Sequence, residues 1–330
     1  MKALIQQLRA QLLHGINRRR LAALMAGVPL AGRLPVFVIA SPPDMHLAPL
    51  AVLTGHPRIV HIIVGNGISA ADVTWLKSQS PDIPVVQLMA SLQGNARSYL
   101  AHAEVVRLCQ QVSPGDFCIQ DADCFVTDTN WWEQLRFTSA HQYAAGPFGK
   151  PLERLDAQMP DTYLVLINGA TYRQREGQGI RPDIATVPVP ALQSLLKARG
   201  LTGAYFPDIV KTYYDTLQMH WTAATIGGEE FLHLPGENQI VFHVGGSTYL
   251  NGKACADVTH WDYWPLNTPY FHMRVLETPR FAAIRPRFAG IFERYGSPQK
   301  VLEQFPDFKK SQRYQLSEKL LADFKPYLNT

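Results

Sequence analysis

Two carboxylates, Asp121 and Asp123, stand one residue apart directly after the apolar run 117–120. Alternate residues of a strand point to the same face, so a strand through this motif would send both carboxylates to one ligand. Like charges this close are unfavourable unless a cation or hydrogen-bond donors compensate them. Mg²⁺ and Mn²⁺ favour oxygen ligands and often link carboxylates to phosphates. The motif therefore indicates a divalent metal site; the competing interpretation is a loop pair that caps the next turn.

A histidine ends a second apolar run, 239–243, and a Gly-Gly-Ser-Thr segment follows it shortly after. His243 could supply a nitrogen ligand to a metal, and a turn through Gly245 and Ser247 could offer backbone N–H groups and a hydroxyl to an anion. Alone, this pattern is more typical of a core histidine before an ordinary glycine turn. Together with the two carboxylates, it favours a metal and phosphate site.

The elements that must position these residues follow from the hydrophobic pattern. Strands separated by helical patterns over the first part of the body predict an α/β fold with a mixed, mainly parallel sheet. Such sheets bind ligands at the carboxyl ends of their strands, where Asp121 falls. The predicted strands are 36–40, 59–64, 84–89, 116–120, 163–167, 231–234 and 239–243, and the predicted helices are 69–77, 96–111, 207–224, 298–305 and 311–324.

The 330 residues allow either two domains or one large domain with extensions. We predict a basic amphipathic helical arm over 1–33, one α/β domain over 34–265 and a helical C-terminal extension over 266–330. Hydrophobic residues make up 46% and charged residues 18% of the chain, which excludes a disordered protein. Its basic character is concentrated in the arm, which argues against a nucleic-acid binder.

The N-terminal arm carries Leu4, Leu8, Leu12 and Ile16 at helical spacing, and no acidic residue precedes Asp44. One interpretation is attachment to an anionic membrane surface, and the other, slightly favoured, is a terminal helix packed on the body. A mitochondrial transit peptide also fits an arginine-rich, acid-free start. A signal peptide fits less well, because a strand follows at once, and the apolar run 21–32 is too short to span a bilayer.

The cysteines indicate a reducing compartment. The four cysteines form no C-x-x-C pair, and two of them flank the aspartate motif in apolar sequence. Buried, reduced thiols are therefore favoured over a zinc site or disulfides. We predict a cytoplasmic protein, peripheral on the inner face of a membrane if the arm binds lipid.

At this point the chain resembles glycosyltransferases of the A-type, nucleotide-diphospho-sugar transferase fold, over about residues 34–262. Three short motifs carry the resemblance. Asp121-Ala-Asp123 resembles the metal-binding D-x-D of that family, and residues 94–97 through 115–117 resemble the helix before it in bacterial polysaccharide transferases. Residues 243–248 resemble the histidine–glycine–serine segment that closes the donor site.

The resemblance implies a single Rossmann-like domain that transfers a sugar from a nucleotide-diphospho-sugar, most simply a UDP-sugar. The acceptor would be a glycan or glycolipid hydroxyl, in cell-surface polysaccharide synthesis. Mn²⁺ or Mg²⁺ would be held by Asp121, Asp123 and His243. The implied donor-site residues are Ala40, Ser41, Asp44, Asn66, Arg97, Asp121, Ala122, Asn168, Gly245 and Ser247. Asp44 and Asn168 could equally be turn residues, and Arg97 a solvated helix residue.

Inverting members of the fold use a carboxylate base at the start of a helix before the closing histidine. Asp208 occupies that place, although it could instead be an N-cap, and Asp215 lies on the same predicted helical face. Glu229 and Glu230 are further alternatives. The usual Glu-Asp pair is absent because Pro207 precedes Asp208, so both the base and the stereochemistry stay open.

Two other function classes compete with this one. A sugar nucleotidyltransferase shares the α/β layout, but it usually carries a glycine-rich basic loop after the first strand, and residues 41–44 contain no Lys, Arg or Gly. A non-catalytic peripheral membrane or scaffold protein would use the basic arm alone. That second alternative predicts that Asp121 and Asp123 are dispensable.

Overall fold

The computed structural model describes residues 2–89, 105, 107–139, 142–147, 163–177, 230–236, 239–246, 250 and 257–330. Within these ranges, only the backbone is described for residues 2–11, 174–177, 231 and 261. Its strands are β1 (Leu34–Ala40), β2 (Ile59–Asn66), β3 (Val85–Leu88), β4 (Phe117–Asp121), β5 (Cys124–Val126), β6 (Gln142–Gly146), β7 (Leu164–Ile167), β8 (Glu230–His233) and β9 (Val241–His243).

In the described part of the chain, seven strands form one sheet in the order β3-β2-β1-β4-β7-β6-β8. The first four are mutually parallel, as are β6 and β8, whereas β7 runs antiparallel to both β4 and β6. This confirms the predicted α/β fold with a mixed, mainly parallel sheet. Strands β5 and β9 form a separate antiparallel pair.

The α-helices of the described residues are α1 (Lys2–Ala26), α2 (Ala48–Ala51), α3 (Ala70–Gln79), α4 (Gly169–Gly177), α5 (His260–Leu276), α6 (Ala289–Tyr295), α7 (Pro298–Gln304), α8 (Gln312–Asp323) and α9 (Lys325–Leu328). Residues 107–112 are also helical. Helix α3 begins where the sequence predicts, because Ser69 and Asp72 form a capping box. Among the described residues, no helix has the length and apolar character that crossing a bilayer requires.

Both faces of the sheet are covered, because successive strand residues point to opposite sides. On one face, Val38 and Ile63 share a core with the C-terminal helices, including Phe271 and Phe324. On the other face, Phe37 and Ile62 share a core with α1 and with the helix through residue 108. Cys109, Cys118 and Cys124 are buried and form no disulfide with one another, and Cys255 lies outside the described residues.

Helix α1 packs on the body through its second half. Leu13 and Leu21 are buried, whereas Leu12, part of the predicted apolar stripe, is 65% exposed. The buried Asn17 side chain donates a hydrogen bond to the Met89 carbonyl (2.8 Å) and accepts one from the Met89 N–H (2.8 Å). These contacts favour the packed-helix interpretation for the second half of the arm.

Helix α5 crosses the predicted boundary between residues 265 and 266. It contains Pro265 and Pro269, and this is why no helical pattern was predicted there: proline removes a helix hydrogen bond. Its side chains lie in the same core as β1 and β5. The division into segments 1–33, 34–265 and 266–330 stays a prediction.

Candidate functional site

The carboxylate motif lies on a turn at the carboxyl end of β4. Asp121 is the last residue of the strand, and Ala122 and Asp123 form the turn into β5. The Asp121 N–H donates to the Tyr163 carbonyl (2.8 Å) and the Ala122 N–H to the Ile39 carbonyl (3.2 Å). The two carboxylates therefore converge through a tight turn, rather than through the strand alternation expected from the sequence.

His243 reaches the carboxylates because β9 pairs with β5. Cys124 lies opposite His243 in the antiparallel register, and the Val244 N–H donates to the Asp123 carbonyl (2.9 Å). As a result, one ligand atom from each of Asp121, Asp123 and His243 lies within 4.8 Å of the others. The structure thus brings the three predicted metal ligands together, although they are separated by up to 122 positions in the sequence.

The His243 imidazole has a defined orientation. Its ring stacks on Tyr163, with centroids 4.3 Å apart and planes inclined by 23°. On another side, a Cβ built on Gly245 would lie 3.0 Å from the imidazole Cε1. The ring is therefore packed between an aromatic face and the backbone of the following turn, with its Nε2 3.4 Å from Asp123 Oδ1.

The electrostatics of the site favour a bound cation. Burial raises the pKa of Asp123, but the His243 imidazole, the charge of His272 and a backbone hydrogen bond together outweigh that effect, so the net pKa lies below its ordinary value. Burial and then the charge of Asp123 raise the pKa of Asp44 well above its ordinary value. Two carboxyl groups that resist simultaneous ionisation would both be stabilised as carboxylates by a nearby cation.

Two buried histidines lie close to these carboxyl groups, and the sequence did not predict this pair. His272 Nδ1 is 3.1 Å from His46 Nε2, and both side chains are fully buried. Burial lowers the pKa of His272 to about 4, although the charge of Asp123 acts in the opposite direction. Burial and then His272 lower the pKa of His46. Nothing in the sequence links two histidines 226 positions apart.

The donor set fits a divalent metal. Two carboxylates and one imidazole offer oxygen and nitrogen ligands of the types that Mn²⁺, Mg²⁺ and Zn²⁺ accept. One atom from each of the three side chains lies within 4.8 Å of the others, so the three groups would be the ones to hold such an ion.

Several predicted donor-site residues lie at the same edge of the sheet. Ala40 and Asn66 end neighbouring parallel strands, and Ile39 pairs with Asp121. Ser41 donates its N–H to Asp44 Oδ1 (3.2 Å), so the turn after β1 directs this half-buried carboxyl towards Asp123. Open parallel sheets bind ligands in a cleft at this edge.

Asn168 does not join them, which corrects its predicted contact with the donor sugar or acceptor. Because β7 is antiparallel to β4, Asn168 lies near the start of β4, at the opposite edge of the sheet. Its amide accepts N–H bonds from Ala170 and Thr171 (both 3.1 Å) and donates to the Gln142 carbonyl (2.9 Å). The side chain caps the start of helix α4, whereas the alternative offered by the sequence was a turn residue.

The remaining predicted residues, Arg97, Asp208, Asp215 and Ser247, lie outside the described residues.

A cavity of about 680 Å³ opens at the opposite edge of the sheet. Two of the arginines that line it already bind protein groups, Arg58 with Glu133 (2.7 Å) and Arg33 with the Leu30 carbonyl (3.2 Å). Within the described part of the chain, the three candidate metal ligands lie at the other edge of the sheet, away from this cavity.

No family model and no curated protein match the chain. Its structure is similar to solved glycosyltransferases. For GlyE of Streptococcus pneumoniae TIGR4 the identity is 11% and the TM-score 0.35, over 62% of this chain and 46% of that one. For apo GlyE the values are 11% and 0.37, over 73% and 63%. For apo WbbM, a bifunctional glycosyltransferase, they are 12% and 0.38, over 63% and 41%.

The chain therefore spans less than two thirds of the length of each of these proteins. The sequence motifs resemble those of glycosyltransferases, and the solved structures that are similar to this chain are also glycosyltransferases. The order and direction of the seven strands define the fold, and the candidate site lies at the carboxyl ends of its parallel strands.

Proposed function

We propose that this protein is a metal-dependent glycosyltransferase that moves a sugar from a nucleotide-diphospho-sugar to an acceptor hydroxyl. The observation that carries the proposal is the convergence of Asp121, Asp123 and His243 within 4.8 Å at the carboxyl ends of the parallel strands. Nucleotides bind at this edge in open α/β sheets. Carboxylates alone would repel a diphosphate there, so they require a cation between protein and ligand.

In this proposal Asp121, Asp123 and His243 hold the ion, which when bound neutralises charge developing on the leaving nucleoside diphosphate. The imidazole favours Mn²⁺ over Mg²⁺, because Mg²⁺ is usually bound by oxygen ligands alone. Ala40, Ser41 and Asp44 line the nucleoside side of the cleft, with Asn66 near the base. A carboxyl or carboxylate at Asp44 can bind a ribose hydroxyl or a base N–H.

The same proposal includes the donor, the acceptor and the catalytic base. We propose a UDP-sugar as donor and a glycan or glycolipid as acceptor, in cell-surface polysaccharide synthesis at the inner face of a membrane. Asp208 or Asp215 would be the base that takes the proton from the acceptor hydroxyl in an inverting reaction. A retaining reaction would not need that base. Gly245 and Ser247 would contact the diphosphate.

The first test is thermal unfolding of the purified protein with a panel of nucleoside diphosphates, with and without Mn²⁺. Ligand binding raises the unfolding temperature by mass action, by about 2.7 kcal/mol of added stability at 100 times Kd. We expect a shift with one nucleotide that requires Mn²⁺. If a folded sample shows no shift with any nucleotide, the transferase proposal is wrong, and vesicle binding by the basic arm becomes the next measurement.

The second test removes one ligand. Asp123→Ala should abolish Mn²⁺-dependent nucleotide binding, because the carboxylate, whose side chain is 5% exposed, adjoins both other ligands. The variant should remain folded. Asp128→Ala is the matched control, because the bond found for its side chain within the described part of the chain is a local one, accepted from the Asn130 N–H (2.9 Å). Equal binding by both variants would show that the metal site is misassigned, as the scaffold alternative predicts.

A further inference from the structure

The segment that carries the histidine ligand is held by the C-terminal helices. Three consecutive backbone carbonyls each accept a hydrogen bond from a side chain of α5 or α8. Arg313 Nη1 donates to the His243 carbonyl (3.0 Å), Trp264 Nε1 to the Val244 carbonyl (2.6 Å) and Thr268 Oγ1 to the Gly245 carbonyl (2.7 Å).

This segment needs such partners because strand β9 ends at His243. Beyond the strand, Gly245 and Gly246 adopt left-handed backbone angles, with φ of +62° and +69°. No strand-to-strand hydrogen bonds fix a turn of this kind, and a buried backbone carbonyl without a hydrogen bond lowers the stability of the fold. The three side chains supply the missing donors at the point where the backbone leaves the metal site.

The three donors are themselves held in place. The Arg313 guanidinium lies 5.9 Å from the Phe242 ring centroid and 5.7 Å from that of Trp264, within cation–π range. Its backbone N–H donates to Asp262 Oδ2 (2.7 Å), which ties the start of α8 to the start of α5. Thr268 is fully buried. The bonds thus connect a rigid helical layer to the histidine segment.

We propose that Trp264, Thr268 and Arg313 are positioning residues that fix His243 as a metal ligand. The inference rests on the proposed function, in which His243 binds the cation. Groups that orient a metal ligand from outside the coordination sphere typically change metal affinity by about 10–100-fold when removed. Here they act through the backbone of the ligand and the residues that follow it.

The decisive variant is Thr268→Val, which keeps the shape of the side chain and removes its hydroxyl donor. Thr278→Val is the matched control, because Thr278 Oγ1 donates to the Val275 carbonyl (2.7 Å) near the other end of the same helix. Thr268→Ser retains the donor and should restore the affinity. We expect Thr268→Val to weaken Mn²⁺ binding about tenfold or more, and Thr278→Val to leave it unchanged.

The readout is Mn²⁺ binding to the full chain by electron paramagnetic resonance, with the unfolding temperature measured in parallel. Arg313→Met provides a second, less buried variant if Thr268→Val does not fold. Absence of Mn²⁺ binding in the wild type would overturn the metal site itself. If the wild type binds Mn²⁺ and Thr268→Val or Arg313→Met binds it equally well, only the positioning role is wrong, and the same holds if Thr278→Val weakens binding as much.

Discussion

Gly245 follows the histidine ligand by two residues and leaves no room for a side chain. A Cβ there would lie 2.6 Å from Trp264 Cζ2 and 3.0 Å from His243 Cε1, and the backbone φ is +62°. An L-residue at this φ costs about 1 kcal/mol or more before any clash is counted. The glycine therefore keeps both the ring of Trp264 and the imidazole in contact with the turn.

We expect Gly245→Ala to lower the free energy of unfolding by about 2 kcal/mol or more, and to weaken Mn²⁺ binding because the imidazole must move. Urea unfolding and Mn²⁺ titration measure the two effects. Gly290→Ala is the control, since nothing lies within 4 Å of its added Cβ and the residue is in helix α6. Unaltered stability and metal binding in Gly245→Ala would contradict this account of the turn.

At the scale of residues, the sequence predicted from two short motifs that Asp121, Asp123 and His243 lie together, because residue type and position after apolar strands suffice for that. It did not predict that Asp123 leaves the strand in a turn, since a D-A-D motif fits both conformations. Nor could it predict the His46–His272 pair, which depends on the packing of α5 against the turn after β1.

At the scale of elements, Asn17 attaches helix α1 to the sheet. Its amide makes two hydrogen bonds with the backbone of Met89, directly after β3, and the side chain is 2% exposed. These two hydrogen bonds satisfy backbone groups that follow edge strand β3, where no neighbouring strand pairs with them in the described part of the sheet. The helix is thereby fixed in rotation: its exposed Arg18 and Arg19 face solvent, and Arg20 Nη1 donates to the Gln87 carbonyl of β3 (3.3 Å).

Asn17→Ala should therefore loosen α1 without unfolding the sheet. We expect a loss of about 1–3 kcal/mol for the two bonds, seen as faster hydrogen exchange confined to α1 and β3. Asn130→Ala, at an exposed position, is the control. Uniform acceleration throughout the protein, or none in α1, would show that the helix is held by other contacts.

Some features of the fold could not be predicted from the sequence, for physical reasons. The strand at 164–167 was predicted, but hydrophobic pattern does not reveal direction, so the antiparallel course of β7 and the displacement of Asn168 could not be foreseen. Helix α5 was missed because of Pro265 and Pro269. Strand β6 was missed because a short Gln-Tyr-Ala-Ala-Gly run has little β propensity.

At the scale of the whole molecule, stability depends on histidines buried in the neutral form. His61, 4% exposed, lies against Trp132 with centroids 5.5 Å apart, and its Nε2 has no hydrogen-bond partner among the described residues. Burial lowers the pKa of His61 to about 4. The unfolded chain therefore takes up a proton at this residue at a higher pH than the folded protein does.

Because the folded pKa lies below the unfolded value of about 6.5, stability is unaffected above that pH and falls as the pH drops towards 4. We expect His61 to account for a loss of about 2 kcal/mol at pH 5. Urea unfolding of wild type and His61→Gln between pH 7.5 and 4.5 should show a shallower pH dependence in the variant. Equal slopes in the wild type and His61→Gln would contradict the assignment.

The hydrogen bonds from Trp264, Thr268 and Arg313 to the carbonyls of residues 243–245 also have a consequence for biosynthesis. Chains fold as they leave the ribosome, N-terminal parts first, and contacts distant in sequence form late. A nascent chain that has already formed β1, β2 and β4 still lacks the donors that shape the histidine turn. Full affinity for the cation would then be acquired only after residue 313 has been added, so that a partly synthesised chain would bind the metal more weakly than the finished protein.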